Sequence, residues 1–290
     1  MIYKLKKGDK VNIIAPSSYI DNEKDFNDGL EIINSWGLKI FHNRLIQRKS
    51  GYLAGEDNIR FEELIKAQNS KLIICAKGGW GASRLLEKNP TWEEKWLLGF
   101  SDNCSLLLSK YSKESLGSIH GPTISTLSNE PNWSINRLRI FLFDGYLEDI
   151  EGEPLNRGLA KGEVLVTNLT IFCSLIGTNN LPNCDGKIII FEDVNEDIYK
   201  IDRMFTSIRM TKILTNIVGI GFGNFFNPKE KEKQIFLRNL ILERFLEFEI
   251  PIVFNLPIGH LSGNACVPLG FEGTLNGKDG KLSINLNLIN

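Results

Sequence analysis

The sequence predicts an α/β fold in which a parallel sheet is covered by helices on both faces. The main evidence is that short apolar segments typical of buried strands alternate with amphipathic segments typical of helices from residue 10 to residue 143. The chain has 290 residues, which is enough for one large or two ordinary domains. Between residues 149 and 162 the sequence becomes rich in Glu, Gly, Pro and Asn and loses its periodicity, which indicates a linker.

The N-terminal half alternates strand and helix throughout. This order implies parallel strands, and ligands bind such sheets at the carboxyl ends of the strands. Predicted strands cover 10–15, 38–41, 71–76, 96–100 and 118–120, and predicted helices cover 22–36, 56–68, 82–87, 102–111 and 134–143.

The C-terminal half again mixes both kinds of element. We expect an N-terminal domain over 1–150, a linker over 151–162 and a C-terminal domain over 163–290. Predicted strands cover 163–166, 187–191, 217–221 and 252–255, predicted helices cover 169–176, 198–210 and 229–246, and a hairpin joins 273–275 to 281–288.

Composition narrows the class of protein. Lys and Arg number 34 and Asp and Glu number 35, so nothing favours nucleic acid or an anionic membrane as a partner. The five cysteines are an odd number without a Cys-x-x-Cys pair, which is typical of a reduced, cytoplasmic protein. No apolar run is long enough for a membrane span, and no spacing of ligand residues predicts a metal or other cofactor.

The stretch around Ser101 is the first candidate for chemistry. An apolar strand ending at Phe100 leads directly into an amphipathic helix, which Asp102 or Asn103 is expected to cap. A serine at such a sharp turn exposes its Oγ, and the next backbone N–H can stabilise an oxyanion. Because position 103 is Asn, the Gly-x-Ser-x-Gly pattern is only half met, and a serine that merely starts a helix is the alternative.

Only three histidines can supply a base. His260 is the best candidate, because it lies in a Gly- and Pro-rich loop after an apolar strand. His42 fits a structural role at a strand end, and His120 could either line a site or satisfy loop carbonyls. A buried strand ends in Glu192 and Asp193, and either carboxylate could orient an imidazole or simply begin a solvated loop.

A glycine-rich segment follows the strand at 71–76. Gly78 and Gly79 would let the backbone approach a ligand with free N–H groups, while the adjacent Trp80 is either a binding wall or ordinary core. The segment lacks the pattern of a nucleotide-binding loop.

Together these motifs resemble the serine LD-carboxypeptidases, the muramoyltetrapeptide carboxypeptidase family that also contains the microcin-immunity peptidases. The resemblance runs in order along nearly the whole chain, and eight motifs in register make it specific. They are Ile14-Ala15-Pro16-Ser17-Ser18, Gly51-Tyr52-Leu53-Ala54-Gly55, Gly78-Gly79-Trp80-Gly81 with Ser83-Arg84-Leu85-Leu86, Gly99-Phe100-Ser101-Asp102, His120-Gly121-Pro122, Asn168-Leu169 with Ile176-Gly177-Thr178, Phe191-Glu192-Asp193 with Tyr199-Lys200-Ile201-Asp202-Arg203, and Pro257-Ile258-Gly259-His260 with Asn264 and Pro268-Leu269-Gly270.

The resemblance implies a catalytic triad. Ser101 would be the nucleophile, His260 the base and Glu192 the orienting carboxylate, because Glu192 matches the first acid of the family's Glu-Asp pair. Backbone N–H groups of Gly79 and Asp102 would form the oxyanion hole. Further candidates for substrate binding are Gly78, Trp80, Asn168 and His120.

The resemblance also implies a fold, a state and an activity. An N-terminal parallel-sheet domain of the Rossmann or flavodoxin type would meet a β-rich α/β C-terminal domain, with the active site in the cleft between them. The protein would be a cytoplasmic homodimer without cofactor, and it would remove the terminal D-residue of murein tetrapeptides during cell-wall recycling.

Three departures from the family pattern bear on specificity. Lys77 and Trp80 stand where the family usually has Arg and Tyr, and Val166-Thr167 replaces a Gly-Gly pair. The compact spacer between Ser101 and Glu192 favours the murein branch. The alternatives are a microcin-immunity-like peptidase that hydrolyses a peptidyl-nucleotide or another small amide, and a two-domain binding protein without catalysis.

Overall fold

Two sheets organise the chain in the computed structural model, which describes residues 3–113 and 116–286. The N-terminal half forms strands and helices in alternation, as its periodicity predicts. Its elements are β1 Lys10–Ile14, α1 Glu23–Ser35, β2 Lys39–Phe41, α2 Asp57–Ala67, β3 Leu72–Cys75, β4 Trp96–Gly99, α3 Cys104–Ser112, β5 Ser118–His120, α4 Ile124–Leu127 and α5 Asn132–Asp144, with 3-10 turns at Leu45–Gln47, Ser83–Lys88 and Ser101–Asn103.

The C-terminal half is richer in strands. Its elements are β6 Ile150–Glu151, β7 Glu153–Asn156, β8 Leu159–Asn168, α6 Leu169–Leu175, β9 Ile188–Glu192, α7 Ile198–Thr211, β10 Gly219–Phe222, α8 Lys231–Phe245, β11 Ile252–Phe254, β12 Val267–Pro268, β13 Glu272–Asn276 and β14 Lys281–Ile284, with a 3-10 turn at Leu246–Phe248.

The first sheet has the strand order β12–β5–β4–β3–β1–β2, and β1 to β5 are parallel. The predicted α/β class and parallel N-terminal sheet are therefore confirmed. Strand β12 pairs antiparallel with β5, so the C-terminal half supplies the sixth strand of this sheet. That contribution was not predicted, because two residues leave no periodic signal in the sequence.

The second sheet has the order β6–β14–β13–β8–β9–β10–β11–β7. Its centre, β8 to β11, is parallel, and antiparallel strands flank it on both sides. The predicted hairpin is formed by β13 and β14, although its last two residues, 287 and 288, lie outside the described residues.

The expected linker over 151–162 is not an irregular connection. It contains β7 and the beginning of the ten-residue β8, and both are hydrogen-bonded into the second sheet. The glycine and proline residues of this segment interrupt the alternating pattern by which strands are recognised in a sequence. Pro154 lies on β7, an edge strand, where a missing N–H is tolerated. The division into domains at this segment stays a prediction.

The first sheet is buried on both faces, as expected for parallel strands between helices. Alternate residues of β3 point to opposite sides: Leu72 and Ile74 belong to one apolar cluster, whereas Ile73 and Cys75 belong to another. This second cluster continues into the second sheet through residues such as Ile190. The two sheets therefore share one continuous core. No helix among the described residues is long and apolar enough to cross a membrane.

Truncation of Ile190 should destabilise this shared core. The residue is fully buried at the centre of β9, so Ile190→Ala should lower the free energy of unfolding by about 2–5 kcal/mol. Urea denaturation measures this change. Ile235→Ala is the matched control, because Ile235 on α8 is 60% exposed and should change stability by no more than about 0.5 kcal/mol. Equal effects of the two substitutions would contradict the assigned core.

Candidate active site

Ser101 lies at a sharp turn directly after β4. Its φ of +61° is in the left-handed region, which is uncommon for a residue with a side chain. Gly78 packs against this turn so closely that a Cβ added to it would lie 2.9 Å from the Cβ of Ser101. The strained backbone and the close glycine together leave the Ser101 side chain at the carboxyl end of the sheet.

The expected cap on the following helix is wrong. Neither Asp102 nor Asn103 caps α3 with its side chain. The Asp102 carboxylate accepts hydrogen bonds from the Ser17 hydroxyl at 2.7 Å and from the Ala82 N–H at 2.8 Å, while the Asn103 amide donates to the carbonyl of Lys77 at 3.2 Å. These polar residues therefore tie the turn to the loops after β1 and β3. Burial raises the pKa of Asp102, although the two donors oppose this shift.

Two backbone N–H groups beside Ser101 have no acceptor among the described residues. Neither Gly79 nor Asp102 donates its N–H to an acceptor within the described ranges. A positive φ of +111° and a close approach to Ser18 require glycine at position 79, because an added Cβ would lie 2.3 Å from the Ser18 Oγ. The buried Arg60 fixes the same loop by donating to the carbonyls of Gly81, at 2.9 Å, and Pro16. The predicted oxyanion-hole residues are therefore rigidly held with free donors.

Glu192 and His260 form a buried pair. Glu192 ends β9 and is fully buried, and its Oε2 lies 2.7 Å from Nδ1 of His260 in the loop after β11. An Asn264 side chain accepts the Gly259 N–H at 3.0 Å and so fixes this loop. The ring of Phe100, the residue before Ser101, packs 4.8 Å from the imidazole of His260 between centroids. The imidazole thus lies beside the Ser101 turn.

The pair shifts both pKa values. Burial disfavours the charged Glu192, but the charge and the hydrogen bond of His260, together with the nearby His120, outweigh it and hold the pKa of Glu192 below its ordinary value. Burial likewise disfavours protonated His260, but the adjacent Glu192 raises the pKa of His260 above its ordinary value. A charged carboxylate therefore fixes the imidazole with Nδ1–H toward Glu192, which leaves Nε2 to accept a proton.

Asp193 points away from this pair. Its carboxylate accepts hydrogen bonds from the N–H and the hydroxyl of Thr170, at 2.9 and 2.8 Å, and from the Asn168 amide at 3.1 Å. Burial, followed by the charge of Glu192, raises the pKa of Asp193. Of the two adjacent acids left open by local sequence, only Glu192 contacts His260, and Asp193 secures the start of α6.

Two of the expected substrate-binding residues are not placed for that role. His120 is fully buried, and Asn168 is 5% exposed with its side chain used for Asp193 and for the first turn of α6.

Trp80, by contrast, is 69% exposed beside the glycine loop, which excludes an ordinary core role. Lys77 forms an ion pair with Asp21. His42 is exposed and packs edge-on against Phe26, in agreement with a structural role.

Sequence reasoning missed one cluster next to the site. Cys104, His120 and Glu192 each place one possible metal-ligand atom within 4.8 Å of the others, and all three are buried. They lie on α3, β5 and β9, so no spacing in the sequence could reveal them. Burial raises the pKa of the Cys104 thiol well above its ordinary value, so the thiol is neutral.

Comparison with known proteins agrees with this architecture. The family models for the LD-carboxypeptidase N-terminal and C-terminal domains match residues 11–121 and 161–275. A putative carboxypeptidase of Synechocystis is 35% identical over 96% of this chain and 95% of its own length. A probable murein peptide carboxypeptidase of Bacillus subtilis is 30% identical over 94% of this chain and 90% of its own length.

A solved structure of MccF in complex with glutamyl sulfamoyl guanosine has the same fold. It superposes with a TM-score of 0.83, at 18% identity, over 100% of this chain and 99% of MccF. At that identity the likeness concerns the fold alone. The matched family models and the two relatives establish that the chain belongs to the LD-carboxypeptidase family of hydrolases.

Proposed function

We propose that the chain is a serine carboxypeptidase that cleaves the L,D peptide bond to the terminal D-amino acid of murein tetrapeptides, in cell-wall recycling. The observation that carries this proposal is the buried Glu192–His260 pair, 2.7 Å apart, beside the strained turn of Ser101. The probable murein peptide carboxypeptidase of Bacillus subtilis supports the substrate class.

The proposed mechanism uses Ser101, His260 and Glu192 as a triad. His260 Nε2 accepts the hydroxyl proton while Ser101 Oγ attacks the scissile carbonyl, and the charge of Glu192 stabilises the imidazolium that forms. The N–H groups of Gly79 and Asp102 donate to the oxyanion. His260 then gives its proton to the departing amine of the D-amino acid, and water hydrolyses the acyl-enzyme with His260 again as base.

A second candidate is a peptidase of the microcin-immunity kind, acting on a peptidyl-nucleotide. The exposed Trp80 favours this candidate, because an aromatic surface beside the glycine loop suits stacking on a nucleobase. Val166 and Thr167, a second departure from the family pattern, are fully buried in β8 and cannot themselves contact a substrate. Of these substituted positions, Trp80 and Lys77 are therefore the ones that could contact a substrate directly.

We also infer a cytoplasmic homodimer. The cysteines Cys75, Cys104, Cys173, Cys184 and Cys266 are all free thiols, which suits a reducing compartment. Sedimentation velocity would measure the association state, and a single monomer species at micromolar concentration would contradict the dimer.

The first test of the proposal is Ser101→Ala. Removal of the nucleophile of a triad costs roughly a millionfold in rate, so cleavage of a tetrapeptide ending in D-alanine should vanish and a fluorophosphonate probe should no longer label the protein. The same peptide ending in L-alanine should resist the wild type. Ser35→Ala at the exposed end of α1 is the control and should keep full activity. Labelling of Ser101→Ala equal to that of the wild type would rule out Ser101 as nucleophile.

The adjacent acids offer a second test. Glu192→Gln should lower the rate by roughly ten-thousandfold, because the amide carries no charge to stabilise imidazolium and can impose the wrong tautomer. Asp193→Asn should instead act mainly on stability, since the Asp193 carboxylate binds the first turn of α6. Rates and urea denaturation of both variants separate these effects. A larger loss of rate in Asp193→Asn than in Glu192→Gln would overturn the assignment.

The third test is the pH dependence of kcat/KM. His260 must be neutral to accept the proton, so activity should fall as the pH falls through its pKa. Because Glu192 raises the pKa of His260, the midpoint of this acid limb should lie above the ordinary histidine value of about 6.5. A rate that is constant from about pH 5 to 8 would exclude a histidine base.

A further inference from the structure

His120 and Glu192 leave a matched set of polar atoms without partners. Both ring nitrogens of His120 and the Oε1 of Glu192 are buried and make no hydrogen bond to the described residues. Both side chains have zero exposure, and Nε2 of His120 lies 3.6 Å from Oε1 of Glu192. The other carboxylate oxygen, Oε2, is the one that contacts His260.

This spacing is slightly too long for a hydrogen bond, since N–H···O bonds have donor–acceptor distances of about 2.7–3.2 Å. Buried polar atoms in folded proteins nearly always have a partner. A side-chain movement of well under 1 Å would bring Nε2 of His120 and Oε1 of Glu192 within hydrogen-bonding distance of each other. The backbone around His120 holds the ring in place, because β5 pairs at this residue with Gly99 of β4 and with Val267 of β12.

We infer that His120 is a positioning residue that donates from Nε2 to Oε1 of Glu192 and so fixes the carboxylate against His260. Each oxygen of Glu192 is then held by one imidazole, and the ring of Phe100 packs against both histidines. His120 itself touches no substrate, because it is fully buried. The inference rests on the proposed function, which makes Glu192 the carboxylate that orients the base.

The other titratable groups near this pair are few. Cys104 faces Glu192 from α3 with a neutral thiol, and it accepts the Asn168 N–H at 3.4 Å. Asp193 adds a negative charge on the far side, which acts on both Glu192 and His260. Neither Cys104 nor Asp193 donates to the free Oε1. His120 is therefore the group that can hold that oxygen.

An NMR titration tests this role directly. The chain has only three histidines, so their ring signals can be assigned with the variants themselves. His120→Leu removes the donor, and Glu192 should then leave its contact with His260 part of the time. The titration midpoint of His260 should move to lower pH by about half a unit or more, because the nearby anion raises it. His120→Gln, whose amide N–H replaces Nε2, should restore most of the wild-type midpoint.

Kinetics give a second readout. In His120→Leu, kcat should fall about 10- to 100-fold, the usual effect of losing a hydrogen bond to a charged group, while KM stays within about twofold. His120→Gln should recover most of kcat. His42→Leu is the matched control, because His42 is exposed and follows β2, at the edge of the first sheet opposite β5 and β12, and it should change neither quantity.

Three results would overturn the inference. If the titration midpoint of His260 is unchanged in His120→Leu, His120 has only a packing role. The same conclusion follows if His120→Gln fails to restore the midpoint and kcat. A stoichiometric metal bound by Cys104, His120 and Glu192, found by elemental analysis and removed by EDTA with loss of activity, would replace a hydrogen bond with ligation. Failure of this inference can be distinguished from failure of the proposed function, because the titration does not require turnover. Even in a protein without peptidase activity, the presence or absence of the shift in the His260 midpoint would decide the role of His120.

Discussion

The buried contact between Glu192 and His260 is the interaction on which the site depends. A carboxylate with no exposure is costly unless it is paired, and here β9 places it against the imidazole of His260, which lies beside the turn of Ser101. Loss of one partner of a buried pair typically costs about 3–5 kcal/mol, because the other charge is left uncompensated. The pairing therefore constrains the relative position of β9 and the loop after β11, and it also sets the tautomer and raises the pKa of His260, the proposed base.

The proposed nucleophile and its proposed base come from different sheets. Ser101 follows β4 of the first sheet, whereas Glu192 and His260 follow β9 and β11 of the second. Correct distances between them depend on the continuous apolar core that joins the sheets and on β12, which crosses from the C-terminal half to pair with β5. Gly78, Gly79 and the buried Arg60 then set the glycine loop against Ser101. The fold thus makes one rigid site from parts that are far apart in the chain.

Much of this could be predicted from the sequence where the signal is local. The alternating elements of the first half, the turn at Ser101 and the hairpin of β13 and β14 follow from periodicity and turn residues. Sequence reasoning failed for several other contacts between distant residues. It offered Asp102 or Asn103 as a helix cap, whereas the Asp102 carboxylate binds Ser17 and Ala82, and it offered Asn168 for substrate, whereas that amide binds Asp193. Short or proline-containing strands such as β7 and β12 have no alternating apolar pattern from which a strand could be predicted.

The central claim, that the chain is an enzyme for L,D bonds in murein peptides, can be tested in one reaction. A murein tetrapeptide and a peptidyl-adenylate are offered together to the wild-type protein, and mass spectrometry follows both. The claim predicts that the tetrapeptide loses its terminal D-alanine to give a tripeptide, while the adenylate is consumed far more slowly. Consumption of the adenylate with an intact tetrapeptide would contradict it and would identify a peptidase of the microcin-immunity kind.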